Sequence, residues 1–130
     1  MALIRTPLGR ARGLGSSKHG VGHFIAQRVS AIALIVLVLW AVDSVLGLAR
    51  VDYDTAVLWL RTPLNAILSA LLIGVASFHK QLGMRTIIED YFEEAGPKAV
   101  LLILNVFATW LIGVVGVFSI LKVAVGGGAY

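Results

Sequence analysis

The sequence predicts an all-α membrane protein with three transmembrane helices. Two observations lead there. Of 130 residues, 58% are hydrophobic and only 14% charged, more apolar surface than a soluble domain of this size can hide. The apolar residues also gather into three runs, each at or above the roughly 20 residues a spanning helix needs. No run shows the period-two alternation of a barrel strand. Only helices and closed barrels satisfy the backbone in lipid, so helices remain.

The elements follow in order. Residues 1–22 form a basic arm, glycine-studded (GRARGLGSSKHG) and without an apolar face. Arginine-rich, acid-poor composition also describes a transit peptide, but the missing apolar face favours a retained arm. The membrane domain, 23–130, begins with a span at about 24–48, interrupted by Gln27 and Arg28 at one end and Asp43 near the other. The link ARVDYDTAVLWLRT is short and mixed, with Tyr53 and Trp59 suited to an interfacial turn or half-helix. The second span, 63–91, opens on Thr62 as N-cap and Pro63 as first helical residue. The third, 97–125, starts at Pro97 after an Ala95-Gly96 break. The tail GGGAY reads as disordered.

Charge sets orientation and excludes classes. Residues 1–42 hold no acid but carry Arg5, Arg10, Arg12, Lys18 and Arg28. With the N-terminus cytoplasmic these join Arg85 and Lys98 inside, leaving Arg50, Arg61 and Lys122 outside. The positive-inside rule therefore puts the N-terminus in the cytoplasm and the C-terminus in the periplasm. A net charge of +4 is modest for a nucleic-acid binder, and no nucleic-acid partner is expected. In lipid it reflects contact with anionic headgroups. With no cysteine, the chain has no disulfide, no cysteine-ligated iron–sulfur cluster and no thiol nucleophile.

The stretch FHKQLGMRTIIEDYFEE, residues 78–94, breaks the apolar pattern. On the second span Asn65, Ser69, Leu72, Ala76, His79, Gly83, Thr86 and Asp90 recur at alternating spacings of four and three, which keeps one helix face in line. Small and hydroxyl residues on one face let helices approach and hydrogen-bond, so this face should meet protein. His79 and Asp90 lie about 16 Å apart along the axis, one in the membrane and one at its edge. An ionisable group inside a span is a functional suspect, and imidazole is a standard axial ligand of haem iron. An interhelical hydrogen bond explains His79 equally well, and spacing leaves both readings open. Gly83 suits either a macrocycle lying close to the backbone or plain helix packing. If His79 binds a six-coordinate haem, the second ligand comes from another chain, because His19 and His23 precede the first span.

Other positions carry paired readings too. Arg28 is either a headgroup anchor or the partner of a carboxylate such as a haem propionate. Tyr91 is either an interfacial tyrosine or a hydrogen-bond donor. Arg85 and Glu89 fit an i,i+4 ion pair. Lys80 points roughly 100° from His79 and is expected to snorkel. Asn105, Thr109, Gly113 and Gly116 form a small, polar face on the third span, read as packing glue. Asp43, Glu93 and Glu94 read as solvated ends.

The order of these pieces resembles the small hydrophobic membrane anchor, the D type, of succinate dehydrogenase (succinate:quinone oxidoreductase, respiratory complex II), especially its alphaproteobacterial members. The likeness covers nearly the whole chain: LGRARGLGS, HFIAQRVSAIALIVLVLW, HKQLGMRTIIEDY and VFSILKVAVGG. Its most specific element is His-x3-Gly-Met-x3-Ile-x-Asp-Tyr, here His79, Gly83, Met84, Ile88, Asp90 and Tyr91. Arg85 after Met84 also resembles the sister C-type anchor. That type's Ser-Pro-His opening and Ser-x-x-His-Arg-x-Ser-Gly stretch are absent, and the Asp90-Tyr91 ending favours D.

The resemblance implies a non-catalytic subunit, inactive alone, in the bacterial inner membrane, with the mitochondrial inner membrane as the alternative. It implies His79 as an axial ligand of haem b shared with a C-type anchor, with Arg28 and Gly83 beside that cofactor. It implies Tyr91, with Asp90, at a ubiquinone site on the cytoplasmic edge. The implied partners are the C-type anchor, an iron–sulfur subunit, a flavoprotein subunit and the bilayer. Family members often carry paired aromatic or histidine residues before the Gln-Arg of the first span; here GHFIAQR leaves His23 without a clear cofactor role. A quinol:fumarate reductase anchor and a cofactor-free structural subunit are the other classes.

Overall fold

A computed structural model describes residues 6–15 and 20–126. The chain is all-helical there: α1 (Pro7–Arg12), α2 (Gly20–Leu48), α3 (Tyr53–Arg61), α4 (Pro63–Tyr91) and α5 (Ala95–Val125). Three helices, α2, α4 and α5, are long and apolar enough to cross a membrane. At 29 to 31 residues each, they run about 43–47 Å, so their ends reach past a hydrocarbon core of about 30 Å. Arg5, Lys18 and His19 lie outside the described residues, as does the expected disorder of the tail at 127–130.

The ends have local causes. Thr62 and Pro63 open α4, but the Thr62 hydroxyl donates back to Leu58 O (3.4 Å) and does not cap the new helix. α5 begins at Ala95 and not at Pro97; a proline in the first turn loses only an N–H that has no intrahelical partner. The arm contains a helix that its composition did not suggest. Thr6 accepts from Gly9 N (3.1 Å) and caps α1, which ends at Gly13 in the left-handed region, φ 52°.

The link is the half-helix α3, docked where α2 ends and α4 begins. Trp59 stacks on Trp40 of α2, centroids 5.8 Å apart. Arg61 donates to Gly126 O (2.6 Å) and Val123 O (3.4 Å), satisfying carbonyls at the end of α5. Asp52, before α3, accepts from the Thr55 hydroxyl (2.5 Å), which holds its carboxyl below the usual range. That support is present above the ordinary carboxylate pKa and is lost as pH falls through the lowered value.

α4 is the central helix, packed against α2 on one side and α5 on the other. The buried residues are Leu37, Ala66 and Ile88 together with Ser30, Asn105 and Thr109, half of them polar. A soluble core would not be so mixed. In lipid an aliphatic side chain gains little by turning inward, whereas a polar one escapes hydrocarbon. The Asn105, Thr109, Gly113 and Gly116 face of α5 does meet α4. Asn105 Nδ2 donates to Gln81 O (3.0 Å), and a Cβ on Gly113 would lie 3.4 Å from Ser77 Oγ.

The tightest approach between α4 and α5 is at Gly116, where a Cβ would stand 2.8 Å from Ile73 Cγ2, a branched methyl that cannot swing aside. Gly116→Val should therefore destabilise the α4–α5 pair by about 1–3 kcal/mol through overpacking. Thermal denaturation of the solubilised protein checks this. The double variant with Ile73→Ala should lose less than the sum of the two changes; full additivity would count against the contact.

Candidate functional site

The histidine of the second span sits on a polar seam between α2 and α4. His23, Gln27 and Ser30 are spaced four and three apart, one face of α2. They run antiparallel to the α4 positions that end at His79. Ser30 Oγ lies 2.8 Å from His79 Nδ1 and 3.1 Å from Gln27 O, to which it donates. One helical turn along, Gln27 Nε2 would lie 3.6 Å from a Cβ on Gly83, so the glycine lets the amide rest against the α4 backbone. Ser30 is 5% exposed, and the hydroxyl–imidazole contact is sheltered between the helices.

The seam is incompletely satisfied by the described residues. His23 Nε2 and Gln27 Oε1 are buried and, among the described residues, without a hydrogen-bond partner. A buried polar atom left unpaired costs about 1–3 kcal/mol, so both call for water, a cofactor or a neighbouring subunit. His79 Nε2 also makes no hydrogen bond among the described residues. With Nδ1 engaged by Ser30, Nε2 is the nitrogen through which this ring can bind a metal. Among the described residues no three His, Cys, Asp or Glu side chains gather as a metal-binding group. A single imidazole with Nε2 available fits one ligand position of a metal cofactor such as haem, which would need its remaining ligands from elsewhere.

The remaining sequence-predicted positions are distributed around this seam. Arg28 is exposed, roughly 200° around α2 from Ser30 and about 3 Å from it along the axis. Its guanidinium stacks over Phe24, 5.1 Å from the ring centroid. Asp90 is exposed, and Tyr91, the last residue of α4, is 81% exposed. The predicted Arg85–Glu89 pair forms at 2.8 Å on the surface. Lys98 donates to Glu89 O (3.2 Å), joining the start of α5 to the end of α4.

Within this chain the four-three stripe packs over part of its length. Its His79–Gly83 part packs on α2, whereas Thr86 and Asp90 are exposed and α5 packs on the opposite side through Ile73, Ser77 and Gln81. A central helix needs two packed faces, and the stripe describes only one. Lys80 does not snorkel to a headgroup. Its ammonium reaches Thr109 Oγ1 (3.4 Å) and Asn105 Oδ1 (3.5 Å), acceptors at its own depth on α5. An apolar groove of about 490 Å³, lined by Phe78, Trp110, Val114 and Phe118, also lies on that α5 side, away from His79.

Ser30 is the site residue that sequence reasoning missed. The signal was present: the four-three spacing applied to the second span also links His23, Gln27 and Ser30 on the first.

Comparison with known proteins bears on this arrangement. The family described as "Succinate dehydrogenase/Fumarate reductase transmembrane subunit" matches residues 2–115. A succinate dehydrogenase hydrophobic membrane anchor subunit of Paracoccus denitrificans is 31% identical over 124 residues, 93% of this chain and 93% of its own. Anchor subunits of the same description are similar in Rickettsia bellii, 32% identical over 68% of this chain and 70% of theirs, and in Rickettsia conorii, 34% over 63% and 66%. No solved structure matches.

Proposed function

Since the chain belongs to the succinate dehydrogenase/fumarate reductase transmembrane subunit family, we propose that it is a D-type membrane anchor of a succinate:ubiquinone oxidoreductase. It sits in the bacterial inner membrane with its N-terminus cytoplasmic and its C-terminus periplasmic. A flavoprotein subunit oxidises succinate, an iron–sulfur subunit relays the electrons, and a C-type anchor completes the membrane part. The observation that carries the reading is His79, held through Nδ1 inside a spanning helix with Nε2 making no hydrogen bond among the described residues.

In this reading His79 supplies one axial ligand of haem b, which when bound offers a one-electron station inside the membrane. Gly83 keeps the flank of α4 beside His79 low, with Gln27 its neighbour in this chain. Tyr91 and Asp90, where α4 ends, contribute to the ubiquinone site. A quinone needs two electrons and two protons to become a quinol, so its ring belongs where water and the electron donor both reach. The opposite direction, fumarate reduction by quinol, uses similar architecture, and the quinone's potential decides between them.

Purification through a tag on this chain tests the reading. The flavoprotein, iron–sulfur and second anchor subunits should copurify, and the reduced-minus-oxidised spectrum should show a b-type band. Copurification without that band would leave an anchor without haem. A chain isolated without those subunits would overturn the anchor reading.

Arg28 is close to the depth of His79 and presents its charge away from the α2–α4 seam. If it pairs a haem propionate, Arg28→Leu should shift the haem midpoint potential or loosen the haem, and Arg28→Lys should do less. Redox titration checks this; unchanged potential and occupancy would make Arg28 a headgroup anchor.

A further inference from the structure

Ser30 has one proton to donate. A serine inside a helix commonly gives that proton to a carbonyl one turn back, and Ser30 Oγ lies 3.1 Å from Gln27 O. The oxygen then has lone pairs left and no proton to offer, so the 2.8 Å contact with His79 Nδ1 is satisfied when the imidazole donates. Both bonds coexist in one tautomer only, the one with the hydrogen on Nδ1 and the lone pair on Nε2. Burial strengthens the assignment: at 5% exposure, little water can reach the serine to replace either partner.

We propose that Ser30 is a positioning residue for His79: its hydroxyl fixes the Nδ1–H tautomer and the ring plane, and so aims Nε2 at the iron. This rests on His79 ligating haem. A ligating imidazole whose other N–H donates a hydrogen bond becomes a stronger base. A stronger basic ligand favours ferric over ferrous iron and lowers the midpoint potential. Ser30 thus couples α2 to the electronic state of a group whose ligand is on α4. Gln27 enters through its backbone carbonyl, which occupies the serine proton.

The test compares side chains with and without the hydroxyl at position 30 in the assembled, detergent-solubilised complex. Ser30→Ala removes it without adding bulk; Ser30→Thr and Ser30→Val form a pair of equal shape that differ in it. Loss of such a hydrogen-bond partner typically weakens metal binding about 10–100-fold. Ser30→Ala and Ser30→Val should therefore release haem faster to an excess of apomyoglobin, raise the midpoint potential and move the low-spin g-values that report axial ring orientation. Ser30→Thr should stay near wild type in all three.

Unchanged potential, g-values and haem release in both Ser30→Ala and Ser30→Val would overturn the proposal. An equal shift in Ser30→Thr and Ser30→Val would also overturn it, since shape and not the hydroxyl would be responsible. His79→Leu is the separate control. If it keeps the wild-type haem signal, the ligand reading fails, whatever the position-30 variants do.

Discussion

Replacing His79 with leucine should abolish the low-spin b-type haem signal while the anchor still inserts in the membrane. Insertion is safe because leucine in a spanning helix is more favourable than histidine. The serine left behind also keeps a partner, since Ser30 Oγ is 3.1 Å from Gln27 O. Among the described residues the other histidine, His23, lies near the start of α2, about two turns from Ser30, too far along the helix to take the place of His79. A ligand on the second anchor could hold the iron alone, and the spectrum would then be five-coordinate and high-spin. Flavin retained in the membrane fraction separates haem loss from failed assembly. A reduced-minus-oxidised spectrum and a haem-to-flavin ratio equal to wild type would remove His79 from the ligand set.

The sequence carried the membrane fold because hydropathy and backbone hydrogen bonding leave few alternatives for such a chain. Helix α4 matched its expected bounds at both ends, Pro63 and Tyr91. α2 starts at Gly20, ahead of its apolar run, because backbone bonding continues past the point where hydropathy drops. The dipeptide Thr6-Pro7 repeats the Thr62-Pro63 signal and likewise opens a helix, but the surrounding glycines obscured it. Pairing between helices was harder to read. A single helix's spacing cannot say that α4 is central, so it missed the face of α4 that meets α5 and the Lys80 contacts with Asn105 and Thr109. The His79 environment was half legible: the stripe marked the ring as packed, while its partner belongs to a helix 49 residues away in sequence.

Polar groups in this protein serve two separate seams of α4. On the α5 side Asn105, Thr109, Lys80 and the Gln81 carbonyl bond to one another, and the set is closed within the chain. On the α2 side Ser30 and His79 bond, but His23 Nε2 and Gln27 Oε1 remain unpartnered among the described residues. The closed set holds two helices together. The open one fits a site completed from outside, and α4 ends beyond it at Tyr91.

At that end, Tyr91→Phe should cut succinate:ubiquinone reductase activity at least tenfold while succinate oxidation with an artificial acceptor upstream of the quinone stays normal. Tyr91 closes α4 and is 81% exposed, so little of its phenol is committed to contacts within this chain. A quinone's isoprenoid tail stays in lipid while its ring must reach the electron donor, and the end of a spanning helix is the depth where both are possible. A phenol hydroxyl donates to a quinone carbonyl, and the bond strengthens as negative charge builds on that oxygen during reduction. Losing one preorganised donor of this kind costs about 2.7–4 kcal/mol of transition-state stabilisation, and less where water takes its place. Tenfold corresponds to about 1.4 kcal/mol, a floor below that range which leaves room for water to take the place of the phenol. Phenylalanine keeps the ring and its interfacial contacts, which makes the hydroxyl the only variable. Equal loss of both activities would point to failed assembly, and full quinone reductase activity would return Tyr91 to an interfacial role.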